Sequence, residues 1–214
     1  MKGDILIIKD HHRKAAQAIS EVLLPEIQAS PQHYFITVAG ESGAGKSEVA
    51  AAIAEALAGK SVSSYIFQQD DFFIYPPKTN ASKRLDDINW VGTQEVKLGL
   101  IDEILLAISN DVNEIDKPLV IFDEDRITEE QVQLEDIKVI IVEGTYTTLL
   151  KNIDCHVFID RNIHDTRESR KERAREAQDD FLEKVLMIEH NIISSNRKFA
   201  NIIINKDFSI TKVK

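Results

Sequence analysis

Residues 40–47 read Gly40-Glu41-Ser42-Gly43-Ala44-Gly45-Lys46-Ser47, a match to the G-x-x-x-x-G-K-[ST] phosphate-binding loop. Such a loop works only between a buried strand and a helix, and both flanks satisfy that condition. Tyr34-Phe35-Ile36-Thr37-Val38-Ala39 is the β-branched and aromatic run of a buried parallel strand. After Ser47 the chain turns alanine-rich, with Val49, Ile53 and Leu57 giving a helix one apolar stripe. The alternative, a chance glycine-rich turn ahead of an ordinary helix, does not account for both flanks.

The chemistry follows from that geometry. Gly40, Gly43 and Gly45 let the backbone turn tightly enough to aim successive N–H groups into one concavity. The helix starting near Lys46 adds the positive end of its dipole. Lys46 then reaches the β- and γ-phosphates of a nucleotide, and the Ser47 hydroxyl ligates Mg²⁺. The cofactor-binding residues expected are therefore Gly40, Glu41, Ser42, Gly43, Ala44, Gly45, Lys46, Ser47 and Glu48, for ATP with Mg²⁺.

The rest of the chain sets bounds. Its 214 residues fit one α/β domain, or one with a small appendage, and a hydrophobic fraction of 43% is ample for a core. The net charge of −10 argues against a nucleic-acid partner, which needs a basic surface. The one cysteine, Cys155, lies in an apolar segment and rules out an internal disulfide. No run is long enough for a membrane span, and four apolar residues near the start are too few for a signal peptide, so the cytoplasm is expected. The surface pattern leaves a homo-oligomer open.

Residues 5–8 read as a short strand, and about 13–28 as a helix that Pro25 interrupts or ends early. Residues 1–33 are read as an appendage packed beside a nucleotide domain over 34–214. Val62 to Phe67 is a second strand, followed by a long irregular stretch from Ile74 to Trp90. A connection of that length is more often functional than passive. Further elements are a helix over 96–109, strands at 119–123, 139–144, 156–160 and 202–204, and two helices. One of these is charged, at about 164–177; the other is amphipathic, with Phe181, Val185, Ile188 and Ile192 on one side. The alternation predicts a doubly wound parallel sheet with flanking helices.

Asp70 and Asp71 follow the second strand, at the edge where open α/β sheets bind ligands. One of them can accept a proton from an attacking hydroxyl; a turn or helix cap is the competing role. Glu143 ends the strand Val139–Val142, where a carboxylate can sit near Mg²⁺, unless it simply meets solvent. Residues 167–175 hold five cations in nine residues. Glu168, Glu172 and Glu176 form a stripe beside them, so a salt-bridged surface helix stands against an arginine lid that stabilises a transferring phosphoryl group. Arg170 and Arg173 are the candidates for that contact.

The ensemble of loop, Gln69-Asp70-Asp71-Phe72-Phe73, Ile141-Val142-Glu143-Gly144 and Asp165-Thr166-Arg167-x-Ser169-Arg170-Lys171 resembles the uridine kinase and phosphoribulokinase family of P-loop small-molecule kinases. The resemblance spans about residues 34–208. It implies a kinase with Asp70 as catalytic base, Glu143 as the acidic strand-end residue and an arginine-rich helical lid. Phe73 falls where uridine kinases have a tyrosine near the acceptor, and Asp87 where an aspartate holds ribose hydroxyls. Phe122-Asp123 resembles the Tyr-Asp that opens a base-reading hairpin. The family's Asp-His-Pro is here Asp87-Ile88-Asn89, and Asp125 stands near the place of an expected histidine. The implied acceptor is a nucleoside; nicotinamide riboside, pantothenate and sugar phosphates are the alternatives. A nucleotide-binding protein with weak or no kinase activity is a further reading. A GTPase switch is not supported, because Asn205-Lys206-Asp207 is one residue short of a guanine reader.

Overall fold

A computed structural model describes residues 6–173 and 179–213, with the backbone alone at Arg173. Five parallel strands and one antiparallel edge strand form the central sheet, in the order β2-β5-β1-β6-β7-β8. These are β1 (Tyr34–Gly40), β2 (Ser64–Gln68), β5 (Val139–Gly144), β6 (Cys155–Ile159), β7 (Ile202–Ile204) and β8 (Ile210–Lys212). Every residue of β1 and β5 is buried, which is why both read as continuous apolar runs. Their side chains alternate between the two faces. Ile36, Val38, Val139 and Ile141 pack with helices α1 (Asp10–Ala29) and α2 (Lys46–Ala58). Phe35, Ala39, Ile140 and Val142 pack with α4 (Leu98–Ser109). A sheet covered on both faces is the doubly wound arrangement the alternation predicts. β8 was not foreseen.

Three further departures have physical reasons. Residues 6–8 form no strand: Leu6 and Ile7 are exposed, and Ile8 packs against the core without a sheet partner. Pro25 does not stop α1, which runs on to Ala29 because Leu23 and Ile27 on either side are fully packed. That burial outweighs the hydrogen bond proline removes. The stretch from Ile74 to Trp90 is not irregular. It carries α3 (Pro77–Asp86), with proline at its first position.

The cap that stabilises α3 comes from far away in sequence. A two-stranded antiparallel hairpin, β3 (Glu114–Ile121) with β4 (Arg126–Gln133), stands apart from the central sheet. At its tip Asp125 accepts from the Lys78 N–H (2.6 Å), the Thr79 N–H (3.1 Å) and the Thr79 hydroxyl (2.7 Å). Beyond β6 the chain forms the short α5 (Arg167–Arg173), and then α6 (Asp180–Asn196). The buried face of α6 carries Leu182, Val185, Leu186, Glu189 and Ile193; Phe181, Ile188 and Ile192 are only partly covered. No described helix is long and apolar enough to cross a membrane.

Candidate functional site

Register brings the predicted residues together. Glu143 pairs with Val38 of β1 on one side and Gln68 of β2 on the other. The loop after β1, the turn after β2 and the end of β5 therefore meet at one sheet edge. A cavity of about 290 Å³ opens there, lined by Ser42, Gly43, Lys46, Ser47, Asp70, Glu143 and Arg170 at one end. Phe73, Tyr75, Asn80, Arg84, Phe122 and Glu189 line the other.

At the loop end, Gly43 and Gly45 adopt φ of +73° and +98°, backbone that side chains other than glycine rarely take. The two glycines also have close neighbours. A Cβ on Gly43 would stand 2.8 Å from Cγ of Arg170, and one on Gly45 3.0 Å from Nε2 of His12. Arg170 and α1 are thus pressed against the loop. Lys46 Nζ donates to the Glu41 carbonyl (3.1 Å), and Ser47 Oγ donates to Glu143 Oε1 (3.1 Å). The Glu41 carboxylate meets His190 Nδ1 at 2.6 Å, and burial pushes its pKa up against that contact. Glu48 is buried on α2, and Gly40 and Ala44 shape the backbone of the cradle.

Burial, and then the neighbouring Asp70, push the Glu143 carboxyl up to about 7; Lys46 and the Ser47 bond act the other way. A buried carboxyl raised in this way beside a second carboxylate suits a proton or a cation. Among the described residues no group of three or more His, Cys, Asp or Glu could hold a metal unaided. Mg²⁺ binds through one or two protein oxygens and takes its other ligands from phosphates and water. Ser47 and Glu143 could hold it.

The adjacent aspartates part company. Asp71 is buried, with Oδ1 accepting from the Val120 N–H (3.0 Å) and Oδ2 from Lys117 Nζ (3.0 Å), and so ties the hairpin to the turn after β2. Asp70 lines the cavity. Arg170 is held by its own turn: its Nη2 donates to the Ile163 carbonyl (2.9 Å) and its Nη1 to the Thr166 hydroxyl. Burial lowers the Arg170 pKa. The Arg173 side chain lies outside the described residues.

At the far end, Phe73 and Phe122 line the cavity as the sequence suggests, and Asp87 does not. Its exposed carboxylate accepts from the Asn89 N–H (3.0 Å), capping its own 3-10 turn. In its place stands a network that sequence reasoning missed. Arg84 Nε donates to Glu95 Oε2 (2.8 Å), Arg84 Nη2 to Glu189 Oε1 (3.0 Å), and Asn80 Nδ2 to Glu95 Oε2 (2.7 Å). The visible signal was Glu189, an acid on the same helical stripe as Val185 and Ile193. Arg84 gave none, because its helix was read as a loop.

Sequence and structure comparisons agree with this geometry. The profile of the phosphoribulokinase/uridine kinase family matches residues 35–179. A bifunctional alpha-galactosidase/sucrose kinase of Mediterraneibacter gnavus is 27% identical over 189 residues, covering 82% of this chain but 20% of that protein. The chain thus spans about a fifth of that relative's length. A uridine kinase of Alkaliphilus metalliredigens is 27% identical over 182 residues, covering 79% of this chain and 86% of that one. In fold the chain is similar to a putative fructose transport system kinase from Silicibacter sp. TM1040, with a TM-score of 0.63 at 16% identity over 86% of this chain and 93% of the other. Loop, sheet order and profile converge: the chain belongs to the phosphoribulokinase/uridine kinase family.

Proposed function

We propose that this kinase transfers the γ-phosphoryl group of ATP to a hydroxyl of a small metabolite, with Asp70 as the base. The observation that carries the reading is the separation of roles at residues 70 and 71. Asp70 lines the same cavity as Lys46, Ser47 and Glu143, while Asp71 is consumed by Lys117. In this reading the loop N–H groups and Lys46 hold the phosphates of the donor, and Asp70 takes the proton of the attacking hydroxyl. Arg170 and Arg173 are the residues assigned to offset the developing charge of the transferring group. Ser47 and Glu143 would hold Mg²⁺, which would supply charge neutralisation at the donor phosphates.

Phe73 and Phe122 belong to the acceptor side. A nucleoside is supported by the relative named uridine kinase, and a saccharide by the one named for sucrose. A single buried thiol, Cys155, suits a reducing compartment such as the cytoplasm.

The test is ADP release over a panel of hydroxylated metabolites, with Lys46→Ala as the control for contaminating activity. Asp70→Asn is expected to keep ATP affinity and to slow turnover by about 10²–10⁴-fold, the range for losing a positioned base. Full turnover in Asp70→Asn refutes the assignment.

A further inference from the structure

Glu41 is the second residue of the phosphate-binding loop, and its side chain leaves the loop for α6. Its carboxylate is 6% exposed, and Oε1 lies 2.6 Å from Nδ1 of His190, whose side chain is 31% exposed. The other oxygen, Oε2, is buried with no hydrogen-bond partner among the described residues. A carboxylate accepts only, so this bond fixes the ring proton of His190 on Nδ1. The main chain of Glu41 is tied as firmly as its side chain. Its carbonyl accepts from the Ala44 N–H (3.0 Å), which closes the turn over residues 41–44, and from Lys46 Nζ (3.1 Å). Residue 41 is thus where the turn of the loop, its lysine and an outside helix meet.

A support positions a loop only if it is itself fixed. α6 buries Leu182, Val185, Leu186 and Ile193, and Glu189, the residue beside His190, is held by Arg84 (3.0 Å). The loop, by contrast, has glycine at 40, 43 and 45, and little side chain with which to keep its own shape. Without the His190 bond, a buried carboxylate would be left with Arg170 as the cation acting on it. Arg170 already donates to the Ile163 carbonyl (2.9 Å) and the Thr166 hydroxyl, and its Nε is buried without a hydrogen-bond partner among the described residues. Glu41 would then draw Arg170 out of its turn, or carry residues 41–44 toward solvent. Either change moves the backbone N–H groups that a phosphate must meet, and a site that has to re-form on binding holds its ligand less tightly.

Resting on the kinase reading above, we propose that His190 is a positioning residue for the donor nucleotide: by donating Nδ1–H to Glu41 it holds the turn over residues 41–44 in the shape that binds phosphate. His190 does not line the cavity and acts through Glu41. Nor does it belong to the buried face of α6, so its loss falls on the loop and leaves the fold in place.

The test is calorimetric titration of a non-hydrolysable ATP analogue, in the presence of Mg²⁺, into the full chain, with the melting temperature of each variant recorded without nucleotide. His190→Leu fills the space without a donor, and His190→Asn keeps an N–H near the place of Nδ1. His190→Leu is expected to weaken binding about tenfold or more, the scale of a hydrogen bond to a charged group, and His190→Asn to recover most of that loss. Wild-type affinity in His190→Leu overturns the proposal, and so does a lowered melting temperature with affinity unchanged. Equal weakening in both variants overturns it too, because the bond is then not the means. Glu41→Met removes the acceptor from the loop side and is expected to weaken binding as His190→Leu does, with the double variant no worse than either single one. Strictly additive losses overturn the proposal. Should His190→Leu fail to fold, wild-type affinity in Glu41→Met overturns it alone. If wild-type protein binds the analogue in a Lys46-dependent way and His190→Leu matches it, this proposal falls and the donor half of the kinase reading stands. If wild-type protein does not bind the analogue, both fall.

Discussion

Replacing Lys117 by methionine should cost far more stability than a lysine usually contributes. The side chains of Lys117 and Asp71 are each 3% exposed and meet at 3.0 Å. Lys117 also reaches Glu130 (3.1 Å) and the Pro118 carbonyl (3.1 Å). Methionine keeps most of the volume and removes the charge, so a buried carboxylate at Asp71 loses its counter-ion. Breaking such a pair costs about 3–5 kcal/mol. At about 2–4 °C per kcal/mol for a chain of this size, the melting temperature should fall by roughly 6–20 °C. Asp71→Asn in the same background removes the stranded charge, while its side-chain oxygen can still accept from Val120. The double variant should therefore be more stable than Lys117→Met alone, with a coupling of about 1–3 kcal/mol. Urea unfolding followed by circular dichroism gives all four stabilities. A loss below about 1 kcal/mol in Lys117→Met, or strictly additive effects, would show that the pair does not anchor the hairpin. The same variants divide the two aspartates: Asp71→Asn should lose stability, Asp70→Asn turnover. If Asp71→Asn abolishes turnover at wild-type stability, the base has been misassigned.

Two other outcomes follow from the loop's neighbours. Gly43→Ala forces a side chain into φ +73° and places its Cβ 2.8 Å from Arg170 Cγ, so ATP affinity measured by calorimetry should fall about tenfold or more while the fold survives. Wild-type affinity would mean that the cradle tolerates a different loop conformation. His12 is 6% exposed, and its pKa is lowered from 6.5 to about 4, first by burial and then by His11. The unfolded chain takes up that proton first, so the contribution is complete above pH 6.5 and is lost as pH falls to about 4. The size is about 3 kcal/mol. His12→Gln can keep an acceptor for the Lys9 N–H and should flatten the stability profile in that window; parallel wild-type and variant profiles would contradict the assignment.

The donor half was legible because its signals are local. The glycines, Lys46, Ser47 and the flanking strand and helix lie in one stretch, and an all-apolar run such as Val139–Val142 needs no partner to be read as a buried strand. The sheet edge that gathers Asp70 and Glu143 follows from the rule that ligands sit at strand carboxyl ends. At the far end of the cavity Phe73 and Phe122 were legible, and the network around Arg84 was not, because its partners act at long range. Asp125 caps a helix from 46 residues away, and Glu189 meets Arg84 across 105. Without the cap, Pro76-Pro77 and polar neighbours read as loop; without Glu189, Arg84 reads as an exposed helix charge. Asp87 was placed by resemblance alone, and here its carboxylate caps its own turn.

The hairpin has an evolutionary consequence. β2 and β5 are neighbours in the sheet, so the chain leaves it at Gln68 and re-enters it at Val139, beside the strand it left. The stretch in between contains Phe73, Tyr75, Arg84 and Phe122, and it adds no strand to the central sheet. It is a cassette. Its substitutions, insertions and deletions can change what is phosphorylated without shifting the register that aligns the loop with Glu143. Within it the Asp71–Lys117 pair pins the hairpin beside Asp70. A protein built this way can remodel the far end of its cavity through changes confined to about a third of its length, while the loop end remains as it was.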